Sequence, residues 1–577
     1  MTVIKWNVRA GAYYDSVVLM QLQRGLLGLP GVVDAGVVMA TQANRDLLAA
    51  NNLLPDSIAA NPDDLLIVVK ANDDSSATDA IGKADELLTR RKSSNSLNSQ
   101  EDFRPRSLSA AVKQLPEANW VLISVPGRYA AGVAREALEL GKHVFLYSDN
   151  VSLEDEIALK KAAREKGLLV MGPDCGTAII NGIGLGFANR VRRGAIGVVG
   201  ASGTGTQAVT SHIHELGGGI SHAIGTGGRD LKSDVGAITA HQALDALARD
   251  DETKVIVLIS KPPSPDVATQ LISAAQGMGK PIVVYFIGYP PPARKIGNLQ
   301  FAISLSEAAE ISVGELEDSR IEHSRLETRD SKSLREVSSL YLRGLFSGGT
   351  LAYETMIGLQ AFLSPLYSNS PISDSQILSD PLHSRAHTII DLGDEFFMVG
   401  RLHPMIDNDL RIRRMRQEAA DPEVGMLLID VVLGEGSHPD PAGELVPVIK
   451  EIREKRLETR ELETRELEFV AMVIGTDDDP QNLQSQISQL TDAGVTVFRT
   501  ATEAVEYVSL RFGTSKKNEG MPVNLEQLKQ PLAAINVGLE SFYDSLTSQG
   551  AQAVHVEWRP PAGGNEKLAA LLAKMKN

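Results

Sequence analysis

The chain has one cysteine in 577 residues, so no intramolecular disulfide framework and no thiolate metal centre can be built within it. Aromatic residues are scarce, at 5% against 43% hydrophobic residues overall, which leaves aliphatic side chains to fill the cores. Positive charge is in deficit: 57 Lys and Arg face 73 Asp and Glu, a net charge of −16. That balance argues against nucleic acid or an anionic membrane as the main partner. Long apolar runs are missing too. LLIVV at 65–69 and MLLIDVVLG at 426–434 fall far short of the ~20 residues of a membrane span. The opening MTVIKWNVRAGAYYD carries no apolar export segment, and the expected setting is cytoplasmic, with no nucleic acid and no membrane. Glycine, by contrast, is plentiful at 50 residues, as tight strand-to-helix turns require. At about 150 residues per domain the length allows three to five domains.

Apolar alternation at 3–9 is followed by an amphipathic stretch at 14–27, a strand at 32–39, a short helix at 44–51, a strand at 65–69 and a helix over 75–92. That order fits a small ferredoxin-like α+β unit over 1–92. Residues 93–109 are polar and rich in Ser and Pro, a linker composition. Strand-helix alternation then runs through three blocks. Strands are expected at 120–125, 143–147 and 168–171 in the block 110–192, and at 195–200, 220–225, 254–260 and 281–287 in the block 193–317. The third block, 335–515, has strands at 387–392, 425–434, 468–475 and 495–500. Such alternation means parallel sheets covered on both faces. RLETRD at 325–330 and RLETRELETRELE at 456–468 repeat with a period of five, which suits no single helix face. Residues 318–336 and 451–468 are therefore expected as charged, solvated insertions. The tail 520–577 reads as a last small βα element or a docking arm.

Two glycine turns carry most of the chemistry. In AIGVVGASGTGTQAV a strand ends at Gly200, and Ser202, Gly203, Thr204, Gly205 and Thr206 open a helix. Free N–H groups at a helix start, small residues and hydroxyl donors suit a phosphate or a carboxylate; a tight turn with an N-cap is the plainer alternative. The Gly-Lys-Ser/Thr ending of a Walker A loop is missing. Ser347, Gly348, Gly349 and Thr350 repeat the theme before a second apparent helix. Recurrence in two α/β blocks suggests paired domains whose helix N-termini face one shared ligand, a phosphorylated small molecule.

VPGRYAAGVAREALELG (125–141), GPDCGTAIINGIG (172–184), VVGASGTGTQAV (198–209) and IGTGGRDL (224–231) together resemble the α subunit of succinyl-CoA synthetase. IGTGGRDL, FSGGTLAYE, RLHPMID, LGEGSHPDP and VEWRPPAGG further resemble the FdrA family over nearly the whole chain. The resemblance implies an α/β protein: a Rossmann-like CoA-binding domain at 110–192 and two flavodoxin-like, synthetase-type ligase domains at 193–317 and 335–515, after the small N-terminal α+β unit. It puts Arg128, Asp149 and Asn150 where the synthetases hold CoA. Two departures matter. The synthetases relay phosphate through a histidine in a Gly-His-Ala-Gly-Ala block, and alignment puts Asn298 there. Their orienting glutamate, near a Gly-Glu-Ile-Gly-Gly turn, gives way to Ser260-Lys261-Pro262-Pro263. The chain also lacks room for an ATP-grasp domain between its blocks. A phosphate site without a relay or a kinase half points to acyl or carbamoyl transfer. FdrA proteins are similar to a subunit of oxamate carbamoyltransferase, which interconverts oxalurate plus phosphate with oxamate plus carbamoyl phosphate alongside two further subunits. An acyl-CoA synthetase subunit needing a separate ATP-grasp chain is the alternative, and a non-catalytic CoA- or phosphate-binding scaffold is a third reading. Partner subunits and an oligomeric assembly are implied. No cofactor is fixed, with CoA or a divalent metal beside the phosphorylated substrate left open.

GRLHPMID (400–407) and LGEGSHPDPAG (433–443) gather polar groups in loops, the second after a long buried strand. Arg401 can clamp a carboxylate or phosphate, and His403 or His438 can donate to an oxyanion or move a proton. Asp407 and Asp440 can orient the imidazoles, although turn-shaping His-Pro and Asp-Pro pairs are the plainer account. Arg401, His403, His438 and Asp440 are taken as catalytic. Gly228 and Arg229 join the two glycine turns as phosphate ligands, because arginine at a close backbone approach suits an anion. No metal ligands are assigned. Asp174 is expected to shape a turn and Cys175 to pack. His212 and His214, at alternate helix positions, cannot share one face, so at most one belongs to a site.

Overall fold

The structure, a computed structural model, describes residues 107–316 (292 apart), 340–458 (361, 372–375, 399 and 400 apart), 467–512, most of 2–94 and residue 105, and in the tail 533–537, 544, 547, 548 and 552–556. The repeat at 325–330 and most of the one at 456–468 lie outside the described residues, as does Gly400. Residues 451–458 are not a separate insertion: they continue the helix Pro441–Glu458. Arg456 near its end donates to the carbonyls of Ala419, Val424 and Asp421.

The N-terminal unit is a three-stranded antiparallel sheet with Leu65–Ala71 between Val3–Arg9 and Val32–Met39, covered by the helices Ser16–Leu27 and Asp74–Ser94. The expected short helix at 44–51 is described only at residues 44, 45, 48 and 49, which are helical. Next comes a three-stranded parallel sheet, Trp120–Ile123, His143–Leu146 and Val170–Met171, with the helices Gly127–Glu139 and Leu153–Glu165. Ser152 caps the latter helix and three acidic residues fill its first turn, as the helix dipole favours.

The two larger sheets share a topology. In the first, the parallel strands run in the order Leu299–Phe301, Ile282–Phe286, Val255–Ser260, Arg193–Ala201, Ile220–Gly225. In the second, Leu366–Ser368 and His387–Asp391 lie on one side of Tyr341–Phe346, with Val424–Val432, Glu468–Ile474 and Thr496–Phe498 on the other. Leaving out the edge strand Leu366–Ser368, both have the flavodoxin-like order 2-1-3-4-5. The chain leaves the first and third strands in opposite directions, which opens a crevice at their C-terminal ends. Near-continuous Val, Ile and Leu in these strands reflect burial on both faces: Val424–Val432 is buried at every position. Short Gly-containing elements escaped the sequence pattern, notably the hairpin Thr177–Ile180 and Ile183–Gly186, which extends the edge of the first large sheet.

One aliphatic core runs through both blocks, from Val198, Val209 and Ile213 across Leu305 and Leu351 to Val470 and Val508. The helices behind the two glycine turns, Gly203–Glu215 and Gly349–Leu359, pack together. Each also packs against the last helix of its own block, Leu305–Gly314 and Ala501–Phe512 respectively. Polar clamps seal the seam. Asn189 donates to the Leu433 carbonyl at 2.9 Å and to Asp479 at 2.8 Å, and the Thr476 hydroxyl donates to the Arg190 carbonyl at 2.6 Å. The C-terminal unit, described by itself, is a parallel pair of strands, Ala533–Val537 and Gln552–Val556.

Candidate active site

Because the blocks pack through the helices that follow their glycine turns, the two turns meet. The Ser202 hydroxyl lies 2.7 Å from the Thr350 hydroxyl, with both residues buried. Ser202 is the N-cap of its helix and accepts from the Gly205 amide at 3.0 Å. A Cβ on Gly348 would come within 2.6 Å of the Thr204 side chain, and one on Gly205 within 2.3 Å of the Ser202 hydroxyl. Glycine at these positions is what lets the helix ends approach so closely.

The turns are satisfied differently. Asp430, wholly buried in the strand Val424–Val432, accepts from the amides of Ser347 at 2.7 Å and Gly348 at 2.9 Å, and from the Ser347 hydroxyl at 2.9 Å. Arg411, also buried, donates to the same carboxylate at 3.0 Å and to the Asp430 carbonyl at 2.7 Å. The second turn therefore already holds a carboxylate. The first holds only its own hydroxyl cap.

Around this junction lie groups that the sequence pattern did not single out. Asp391 ends the strand His387–Asp391 and is 6% exposed; one carboxylate oxygen accepts from the Gly393 amide at 2.9 Å. Its other oxygen projects over Gly349, where a Cβ would meet it at 2.2 Å and the Lys261 ammonium at 3.3 Å. Burial pushes the Asp391 carboxyl up to about 6 against the pull of Lys261. Burial likewise pushes Asp174 up to about 6, again opposed first by Lys261 and also by Arg229, with Asp149 and Glu395 raising it further. Asp174 holds a left-handed φ of 54°, a conformation that aspartate tolerates better than most residues. Thr177 adds a buried hydroxyl with no hydrogen-bond partner, 3.6 Å from where a Gly203 Cβ would sit. The only signal for Lys261 in the sequence was the substitution of the glutamate turn; nothing local marks Asp391.

The loop residues divide. His403 packs against the Phe187 ring at 5.1 Å between centroids, and its Nδ1 accepts from the Met405 amide at 3.2 Å. The proton is therefore on Nε2, which lies 3.1 Å from where a Gly393 Cβ would be. Burial, aided by the charge of Arg411, pulls this imidazole down to about 4, so it stays a neutral donor. His438 has both ring nitrogens engaged: Nδ1 accepts from the Asp440 amide at 3.1 Å and Nε2 meets Glu444 at 3.0 Å. Asp440 precedes the helix Pro441–Glu458, accepts from Gly443 at 3.0 Å and from Gln486 at 2.8 Å, and is held below the ordinary carboxylate range by those bonds. Arg401 has a buried guanidinium nitrogen without a hydrogen-bond partner, and its charged surroundings are Arg413, Asp409 and Asp407. Arg229 pairs with Glu156 at 2.8 Å and donates to the Val151 carbonyl at 2.8 Å. Glu156 also binds the buried Lys160, which reaches Asp230 at 2.7 Å. Gly228 lies against Asp174, 3.6 Å from a would-be Cβ to the carboxylate.

Arg128 lies apart, exposed over the Tyr129 ring at 4.8 Å. It follows Gly127, whose Cβ would strike the Asp149 carbonyl at 2.1 Å and the Asn150 carbonyl at 2.6 Å. That helix start has no side-chain cap, and Leu122, Val125 and Tyr129 are exposed near it. An uncapped helix end, a cation and an apolar surface fit a nucleotide-bearing thiol cofactor such as CoA.

Asn298 occupies the turn between Lys295–Ile296 and Leu299–Phe301, where its carbonyl accepts from the Ile282 amide at the start of a strand. Its amide donates to the carbonyls of Ala275 and Lys280. It therefore sits in a tight turn at the end of the sheet opposite Ser202. Cys175 is buried, and burial pushes its thiol up to about 12, as packing requires. His212 is raised to about 9: although burial lowers it, the hydrogen bond to Glu215 at 3.3 Å and the Glu310 carboxylate 3.7 Å from Nε2 outweigh that burial. Among the described residues no cluster of three or more His, Cys, Asp or Glu side chains is arranged to hold a metal ion, and no helix is long and apolar enough to cross a membrane.

Comparison with known proteins places three families on the chain: "CoA-ligase" on residues 345–510, "CoA binding domain" on 191–288, and "AllF, heavy metal-associated domain" on 1–105. The uncharacterized protein YahF of Escherichia coli (strain K12) is 42% identical over 507 residues, covering 86% of this chain and 96% of that one. The succinate–CoA ligase [ADP-forming] subunit alpha 2 of Archaeoglobus fulgidus is 30% identical, covering 33% of this chain and 67% of its own. The malate–CoA ligase subunit alpha of Methylorubrum extorquens is 29% identical, covering 33% and 68% respectively.

Proposed function

The chain belongs to the FdrA family, in which it is a relative of YahF with domains similar to succinyl-CoA synthetase α subunits, and from that premise we propose that it is the phosphate-site subunit of an acyl- or carbamoyl-transferring enzyme. The observation that carries the reading is the 2.7 Å contact between Ser202 and Thr350, which turns two helix N-termini toward one point. A free terminus contributes about 0.3–1 kcal/mol toward an exposed anion, and more when desolvated; that attraction comes from the first turn, because Asp430 already fills the second. Ser202–Thr206 and Ser347–Thr350 cradle the phosphoryl group, with Gly228 and Arg229 beside them. The substrate class is oxalurate plus phosphate, yielding oxamate plus carbamoyl phosphate, in a cytoplasmic complex with partner subunits.

In that reaction a phosphate oxygen attacks the ureido carbonyl carbon. The C–N bond then breaks and the leaving amide nitrogen takes a proton. The tetrahedral oxyanion needs a donor, and the neutral Nε2–H of His403 supplies one. Arg401, with an unpartnered guanidinium nitrogen, binds the substrate carboxylate. His438 and Asp440 keep the 433–443 loop in place; their polar atoms are already engaged. Asn298, at the far end of the sheet, takes no part.

The second reading, an acyl-CoA synthetase subunit working with a separate ATP-grasp chain, is favoured by the exposed surface around Gly127. Arg128, Asp149 and Asn150 would hold CoA there, and CoA would supply the acceptor thiol. The two readings part in one assay. With its partner subunits the protein is expected to form carbamoyl phosphate from oxalurate and phosphate, with Arg401→Ala and His403→Ala each lowering the rate by about 10²–10³. CoA- and ATP-dependent thioester formation, with no carbamoyl phosphate, would favour the second reading. A mixture inert in both assays would favour a scaffold.

A further inference from the structure

Lys261 follows the strand Val255–Ser260, on the crevice side of the first block's switch point. Its loop is pinned by Lys232 donating to the Pro262 carbonyl at 2.9 Å and by Ser264 donating to the Leu231 carbonyl at 3.0 Å. From there the ammonium crosses to the other block and lies over Gly349, the first residue of the second helix. Facing it over Gly349 is a carboxylate oxygen of Asp391, which is more than nine-tenths buried and has no hydrogen bond at that atom among the described residues. On the first turn, the buried Thr177 hydroxyl beside Gly203 is unpartnered as well. A lone hydroxyl, an unpaired carboxylate oxygen and a cation thus surround two helix starts. Buried polar groups are ordinarily satisfied, so the unpartnered Thr177 hydroxyl and the open Asp391 oxygen, with the exposed Lys261 ammonium beside the latter, mark a place for a ligand.

We propose that Lys261 and Thr177 complete an oxyanion cradle for a phosphoryl group, free or borne on a small molecule, and that Asp391 is the counter-ion which gives up Lys261 when the anion enters and takes a proton in exchange. The inference rests on the reading that the paired turns hold an anion, and it deepens that reading by naming the cation and the charge balance. The physical need is plain. Asp430 already neutralises the second turn, so a dianionic group entering beside Asp391 and Asp430 would meet two carboxylates. Lys261 offsets one charge, and protonating Asp391 removes another. The groups facing Asp391 are Lys261 from the first block, Asp430 with its partner Arg411 from the strand beyond Tyr341–Phe346 and the helix Asp409–Ala419, His403 near Gly393, and Asp394 on its own loop. Asp174, also opposite Lys261, faces Asp149, Glu395 and Arg229. With Lys261 drawn to the anion, Asp391 loses its largest stabilising partner and binds a proton at neutral pH.

Calorimetric titration of the full-length protein with inorganic phosphate, in buffers of different ionisation enthalpy, tests this. Wild type is expected to bind with uptake of about one proton. Lys261→Gln should bind at least about tenfold more weakly, as loss of a charge-assisted contact implies, while Lys261→Arg retains most of the affinity. Asp391→Asn should bind phosphate at least as tightly as wild type but without the proton uptake. Thr177→Val, which keeps the volume, should bind a few-fold more weakly. Phosphate that binds Lys261→Gln and wild type equally, or proton uptake that persists in Asp391→Asn, would overturn the inference and leave the paired-turn reading standing. An absence of phosphate binding in wild type would remove the premise, and the inference with it.

Discussion

The two glycine turns sit on the same strand of the same topology, yet they end their strands in opposite electrostatic states. Ser202 caps its own helix with a neutral hydroxyl, whereas the Ser347–Gly348 turn is filled by the buried Asp430 carboxylate, itself held by Arg411. A helix start with a resident carboxylate is structural first; one with only a hydroxyl cap keeps its dipole available. Two matching motifs therefore need not contribute equally to one site. The first turn supplies attraction for the anion. The second supplies Thr350, proximity and, through Gly349, the space in which Asp391 and Lys261 face each other.

The largest effect that would sharpen this contrast is on stability. Asp430→Ala leaves Arg411 as a buried unpaired cation and frees two turn amides, and should cost about 3–5 kcal/mol in denaturant unfolding. A loss under about 1 kcal/mol would erase the distinction between the turns. Next in size is a pH effect at the second turn. Asp391 titrates near 6 when folded, against about 4 when unfolded. The folded state therefore binds the extra proton between those values, and the contribution of Asp391 to stability falls as pH rises from about 4 to about 6 and stays reduced above it. Asp391→Asn should consequently be more stable than wild type at pH about 7, by on the order of 1–3 kcal/mol, with the gain vanishing toward pH about 4. A gain that is constant with pH would show that Asp391 titrates normally.

Gly349→Ala must displace the Asp391 carboxylate from 2.2 Å, whereas Gly203→Ala meets nothing closer than the Thr177 hydroxyl at 3.6 Å. The first should lose about 1–3 kcal/mol and the second less than about 0.5 kcal/mol, measured by thermal unfolding. Equal losses would remove the role given to Gly349. Ser202→Ala, deleting a neutral cap and the partner of Thr350, should cost about 1 kcal/mol.

Much of this was legible in the sequence, and the failures have causes. Apolar β-branched runs fixed the long strands of both large sheets, because burial on both faces leaves little freedom in composition. The glycine turns were legible because close backbone approach leaves its mark as small residues at fixed offsets. Short elements such as Thr177–Ile180 and Ile183–Gly186 were not, since four residues carry too little periodicity. Asp391 and Lys261 were invisible for a different reason. A buried aspartate at a strand end looks like any strand terminus, and its meaning comes from a lysine 130 positions earlier, brought over Gly349 only by the docking of the two blocks. The loop of His438 was legible as a polar turn, but not its partners: Glu444 and the Asp440 amide engage both ring nitrogens, and Glu444 lies in the following helix.

The most direct measurement is a crystal structure of the protein with phosphate or carbamoyl phosphate bound. One anion is expected at the junction, within hydrogen-bond distance of the Gly203 or Thr204 amide and of Thr350, with Lys261 turned toward it. Two separate anions on opposite sides of the Ser202–Thr350 contact, or one bound elsewhere with both turns empty, would contradict the claim that the two blocks share a site.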